Sequence, residues 1–246
     1  MKTGEVRVWK MTRRQVREGM AAGHFKGAFL PTGSTEQHNE HLAMEHDTAS
    51  AIHVAWQAAV DLYPRVLVAT PMPVGISEHW MEFRGTLTLK METFAAVAFD
   101  ICESLQRHGV EHILIVNGHA GNGPLGQHMD DFRKRLGIDV QFCSYWEAYS
   151  QDLVKQQMES GDCPAHAAEF ETSFAMAAFP ENVHWEGVDY EKAGIKITKN
   201  LNYAPRDPVY AKAAVDYATA QKGRVMAHAA IDWVANRMCG MLGEGV

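Results

Sequence analysis

Four short apolar runs, at 27–31, 66–70, 113–116 and 140–143, each end in turn residues, and the stretches between them carry apolar residues at spacings of three and four. Apolar runs that are continuous rather than alternating predict strands buried on both faces, as in a parallel sheet. Ile52, Trp56, Ala59 and Tyr63 mark one helical face over 48–63, and Phe94, Val97, Ile101 and Leu105 mark another, the spacing of amphipathic helices. Strand and helix patterns in alternation predict an α/β fold. A last helical stretch covers 207–242, with Gly223 a candidate break and no chemistry of its own. No repeat, low-complexity tract or Ser/Gly linker interrupts the pattern, so 1–246 reads as a single domain.

Two strand-to-helix junctions are rich in Gly and polar side chains. PTGSTEQHNEHLAMEHD follows the first run and NGHAGNG the third. Open α/β sheets gather ligands at the carboxyl ends of their strands, so these loops should share one edge. In extended chain, Glu36 and His38 project to the same side, a chelating pair. Asp47 stands just before the helix at 48–63 and reads either as its N-cap or as a third ligand. In the second loop His119 is the strong ligand, aimed by the glycines around it. A third segment, HAAEFETS, places His166 and Glu169 at i, i+3 on one helical face, with Glu171 well round the helix.

Composition narrows the function classes. With 23 Lys plus Arg against 30 Asp plus Glu, the formal charge of −7 has the wrong sign for binding nucleic acid. No apolar run reaches the roughly 20 residues of a membrane span, and the charged opening MKTGEVRVWKMTRRQVREGM lacks the apolar centre of a signal peptide. The expectation is a soluble cytoplasmic protein with neither nucleic acid nor membrane as partner. The 4 cysteines form no CxxC pair and are expected reduced and mostly buried, whereas histidine is in excess at 13.

Together Glu36, His38, Asp47, His119 and Glu169 make an oxygen–nitrogen donor set without sulfur, suited to zinc, manganese or iron. Five protein ligands are too many for one catalytic zinc with an open position, and about right for two metals sharing a carboxylate. Two divalent ions against three carboxylates leave one positive charge, which a bridging hydroxide would cancel. Such a site generates a nucleophile near pH ~7 and polarises a carbonyl.

LPTGSTEQHNEHLAMEHDTASA, GISEHWMEFRGTLTL, IVNGHAGN and HAAEFETS, in that order across 30–173, resemble the signature blocks of the creatininase (creatinine amidohydrolase) family. The resemblance implies a three-layer αβα fold with a mostly parallel central sheet and two divalent ions, foremost Zn²⁺, with Mn²⁺ or Fe²⁺ as alternatives. It also implies hydrolysis of a carbon–nitrogen bond in a small cyclic amide or formamide, and a homo-oligomer, the hexamer favoured. Carried over residue by residue, Glu36 and His119 hold one metal, His38 and Glu169 the other, and Asp47 bridges. His166 becomes a proton shuttle or substrate ligand, and Ser77, Glu78, His79 and Trp80 become substrate contacts. Two departures stand out: Gly121 replaces a metal-binding carboxylate of creatininase itself, and His79 follows Ser77 by two residues rather than three, with Arg84 in place of a proline.

Arg84 reads as a clamp for an acidic substrate or as a surface arginine, and Trp80 and Trp146 as walls for a flat ring or as core. Asn39, Glu40, His41, Glu45 and His46 read as outer partners of the metals. Alternative functions are opening of an inosose-type cyclic ketone, a metal-binding module without turnover, and a peptidase.

Overall fold

The computed structural model describes residues 4–185, 214 and 216–243. Four parallel strands, β1 (Gly27–Thr32), β2 (Val66–Val68), β3 (His112–Asn117) and β4 (Asp139–Ser144), form one sheet in the order β2-β1-β3-β4. Gly27 pairs with Val66 on one side and His112 on the other, and Asn117 pairs with Ser144, so the strands after β2 end together. These are the four apolar runs of the sequence. The described helices are α1 (Arg13–Ala21), α2 (His46–Asp61), α3 (Met91–Arg107), α4 (Met129–Leu136), α5 (Gln151–Gln157), α6 (Glu169–Ala178) and α7 (Ala220–Met241).

The strands alternate their side chains between two cores, which makes three layers. Phe29, Leu114 and Val116 pack with Val54 and Ala58 of α2, Phe174 of α6 and Met226 and Val234 of α7. Ala28, Leu30, Ile113 and Ile115 point the other way, to Phe94 and Ala98 of α3 and Phe132 of α4. Each fully buried Leu, Ile or Phe contributes about 1.5–3 kcal/mol, so the sheet is a rigid floor for the loops at its edge.

Three expectations are corrected in detail. The helix expected over 48–63 starts earlier, at His46, and ends at Asp61. Val97 is 41% exposed, because the buried stripe of α3 runs through Phe94, Ala95, Ala98, Phe99 and Cys102 instead. Gly223 does not break its helix: α7 runs through it and crosses α6 there, where an added Cβ would lie 1.8 Å from the Ser173 carbonyl oxygen. The part of the expected helix at 207–213 and 215 lies outside the described residues.

The topology also fixes the site. From β1 the chain crosses to β2 on one side, then returns to β3 on the other. Connections leaving β1 and β3 therefore diverge and open a crevice between them, the switch point at which open α/β sheets bind ligands. The two polar loops of the sequence leave from those two strands.

Candidate metal centre

The first turn of α2 lies across both loops. Gly118 permits this, since a Cβ there would sit 2.3 Å from the Asp47 carbonyl oxygen. Asp47 is thus not the N-cap: Glu45 holds that position, and Asp47 is inside the helix with its carboxylate buried over the crevice. Asp47 Oδ1 lies 3.0 Å from His38 Nε2, and Oδ2 lies 2.9 Å from His119 Nδ1.

The other nitrogen of each histidine fixes its tautomer. His38 Nδ1 is 3.1 Å from the Glu36 carbonyl oxygen, and His119 Nε2 is 3.0 Å from the Ile76 carbonyl oxygen. A carbonyl only accepts, so those nitrogens carry protons, and the opposite ones face Asp47. Where the ring is charged, that nitrogen donates to Asp47 as an ion pair; where it is neutral, the same nitrogen offers a lone pair that a cation shared with Asp47 can take. Outer hydrogen bonds of this kind are the usual support of a metal-binding histidine.

Electrostatics point the same way. Burial raises the Glu36 carboxyl to about 7, with Asp47 adding to the effect, and burial likewise raises Glu171. Burial opposes a charge on His38, but Asp47, Glu171 and Glu36 outweigh it and lift the imidazole to about 10. The same balance against burial raises His119 and holds Asp47 well below the usual carboxylate range. Three carboxylates thus crowd around imidazoles, and among the described residues lining the cleft there is no lysine or arginine. Glu36 Oε2 and Asp47 Oδ2 are buried without a hydrogen bond. Three triads bring donor atoms within 4.8 Å of one another: Glu36–His79–His119, Glu36–His38–His166 and His38–Asp47–Glu171. The residues present fit divalent cations.

Four of the five expected ligands, Glu36, His38, Asp47 and His119, converge. The fifth is corrected: Glu169 faces away, its Oε1 accepting from Lys222 Nζ at 2.6 Å and its Oε2 from the Ser160 amide at 2.7 Å. Glu171 stands in the cluster instead, with Oε2 3.7 Å from His38 Nε2 and accepting from the Ala167 amide. The expected i, i+3 face of His166 and Glu169 does not form, because Ala167 takes a positive φ of 47° and the helix begins only at Glu169. Residues two apart on a helix point some 200° apart, so once Glu169 faces α7, Glu171 faces the crevice.

His166 reaches the cleft from this irregular segment. Its Nε2 accepts from Gln37 Nε2 at 2.8 Å, and the Gln37 amide is oriented by the Asn39 backbone amide, which donates to Gln37 Oε1 at 3.0 Å. His166 Nδ1 therefore carries the proton, 3.6 Å from Glu36 Oε1. Trp80 stacks on its ring at 4.6 Å. Trp80, His79, Trp146, Pro164, Ala165 and His166 wall a cleft of about 200 Å³ over the carboxylates.

Of the remaining candidates, Ser77 is fully buried, with Oγ 3.3 Å from His119 Nε2. Glu78 and Arg84 are exposed and absent from the walls, because the short 3-10 helix Glu78–Trp80 turns only its second and third residues inward. His46 packs against His38 at 5.1 Å, and Asn182 Nδ2 donates to Glu45 away from the cluster. His41 faces Thr172, and Glu40 is exposed. The four cysteines are free, two of them buried. No described helix is long and apolar enough to cross a membrane.

Residues 9–238 match the family model for creatininase, described as creatinine amidohydrolase. The chain belongs to the creatininase family. It is 29% identical over 190 residues to the 3-dehydro-scyllo-inosose hydrolase of Thermotoga maritima, covering 75% of this chain but 60% of that protein. It is also 29% identical over 198 residues to the creatinine amidohydrolase of Pseudomonas putida, covering 74% and 75% of the two. A creatininase crystal structure shares the fold at a TM-score of 0.78 and 24% identity, over 96% of this chain and 97% of that one.

Proposed function

We propose that this protein is a metal-dependent hydrolase that cleaves a carbon–nitrogen bond in a small polar cyclic amide or formamide. The Asp47 carboxylate carries the reading: its two oxygens face ring nitrogens of two different histidines, as a ligand shared by two cations would. Glu36, His119 and one Asp47 oxygen would hold one divalent ion, and His38, Glu171 and the other oxygen the second. Solved creatininases include forms described as Mn and as Zn-Zn, and this donor set accepts either metal.

Divalent ions bound there supply a polarised carbonyl and a water acidic near neutral pH. The chain supplies the rest. His166 presents its Nδ1–H toward the cleft, in position to donate a hydrogen bond to a bound substrate, and Gln37 fixes that tautomer from behind. Trp80 and Trp146 narrow the entrance and exclude bulk water, which strengthens charge interactions within. The volume suits a small molecule. Glu169, facing Lys222, takes no part.

A second reading keeps the site and changes the bond. The inosose hydrolase is as similar to this chain as the creatinine amidohydrolase, which favours testing cyclic ketones beside amides. Metal content per chain, measured by elemental mass spectrometry, is expected at two equivalents in the native protein and at one or none in Asp47→Ala. Turnover of lactams, formamides and cyclic diketones then separates the two bonds. Native protein that takes up no metal after reloading with zinc or manganese would overturn both readings.

A further inference from the structure

We propose that His79 is a metal ligand, its imidazole joining Glu36 and His119 on the cation at the β3 loop. The inference rests on the two-cation reading and deepens it at one donor. His79, Glu36 and His119 each place a ligand atom within 4.8 Å of the other two. The His79 ring lies parallel to that of His119, with centroids 5.8 Å apart and 3° between planes. Glu36 is buried, with Oε2 3.4 Å from His119 Nε2 and lacking any hydrogen-bond partner.

The position of His79 is built rather than incidental. Its 3-10 turn is anchored at Ser77, whose amide donates to Thr88 Oγ1 at 3.0 Å, and whose carbonyl accepts from the Trp80 amide at 2.9 Å. Trp80 is 2% exposed and locks the far end of the turn. The alternative source of a donor, the loop after His119, is closed. A Cβ on Gly121 would lie 2.1 Å from the Ile76 carbonyl oxygen and 2.5 Å from His119 Nε2. Residue 121 therefore cannot carry a side chain in this fold, and the His79 turn can supply the donor.

The consequence is an unequal pair. One cation has four protein donors, from Glu36, His79, His119 and Asp47, and the other three, from His38, Glu171 and Asp47. Four donors close a tetrahedral zinc site and three leave a position open, so substrate binds on the His38–Glu171 side, beneath His166.

Calorimetric titration of Zn²⁺ into metal-free native protein, His79→Ala, His79→Gln and Glu171→Gln tests this. Native protein is expected to bind in two steps. Both His79 variants should weaken the tighter step at least about a hundredfold, beyond the usual loss for an outer partner, and leave the weaker step in place. Glu171→Gln should weaken only the second step. Visible absorption of the Co²⁺-loaded protein should change at the first equivalent alone in the His79 variants, and far-ultraviolet circular dichroism should match native protein. If both His79 variants keep two native steps and only KM rises, His79 touches substrate and the inference is overturned while the two-cation reading stands. One step or none in native protein overturns the two-cation reading and this inference with it.

Discussion

Glu169 and Glu171 sit two residues apart at the start of α6, both carboxylates withdrawn from water, in opposite electrostatic settings. Glu169 is completed by the chain itself: Lys222 reaches it from α7 while pairing also with Glu159, and the Glu159 and Ser160 amides donate to its two oxygens. Glu171 faces Asp47 and Glu36, with the Ala167 amide donating to it and His38 3.7 Å away, and among the described residues no lysine or arginine pairs with it. A buried carboxylate without a full counter-charge takes up a proton instead, and burial raises Glu171 to about 8. The satisfied carboxylate is architecture. On the proposed function the other is the one that an external cation would complete.

The largest effect should come from Glu171→Gln. It is expected to lower metal affinity and turnover by more than about a hundredfold, while the metal-free protein keeps its thermal stability near neutral pH, because burial raises the Glu171 carboxyl to about 8 and already holds it neutral there. Lower stability with unchanged metal content would break the comparison by making Glu171 structural. Glu169→Gln should do the reverse. Losing a charged hydrogen-bond acceptor costs about 1–3 kcal/mol, readable as a lowered unfolding midpoint, with two metal equivalents retained. Loss of one equivalent at full stability would return Glu169 to the ligand set.

That assignment shows how far the sequence was legible. The strands were plain because a sheet covered on both faces needs continuous apolar runs, and the crevice followed because polar loops leave β1 and β3 at the strand ends. Glu36, His38, Asp47 and His119 could be read for the same reason, each being tied to a strand end or to the first turn of α2. The choice between Glu169 and Glu171 depended on two facts that local spacing does not carry. One is the positive φ at Ala167, which delays the helix until Glu169. The other is Lys222, 53 residues away, delivered by the crossing of α7 at Gly223. Gln37 was not singled out by the sequence, and its amide donates to His166 and orients it.

A third carboxylate calibrates the lower end of the comparison. Glu5 is partly exposed, pairs with Arg7 through both oxygens, and accepts from the Val6 and Arg7 amides. The hydrogen bond from Arg7 outweighs the effect of burial and lowers its carboxyl from 4.5 to about 2. A carboxyl lowered on folding contributes its full stability above its unfolded value and loses it as the folded form takes up a proton. The pair should therefore stabilise the protein above pH 4.5 and fade between there and pH 2. Because it meets water, Glu5→Gln is expected to cost no more than about 1 kcal/mol at pH 7, with no change in metal content. Unfolding midpoints of native and variant protein should converge as the pH falls through that window. A constant gap down to pH 2 would mean that Glu5 acts through packing and not through charge, and Glu169 would then be the stronger measure of what a satisfied carboxylate contributes to this fold.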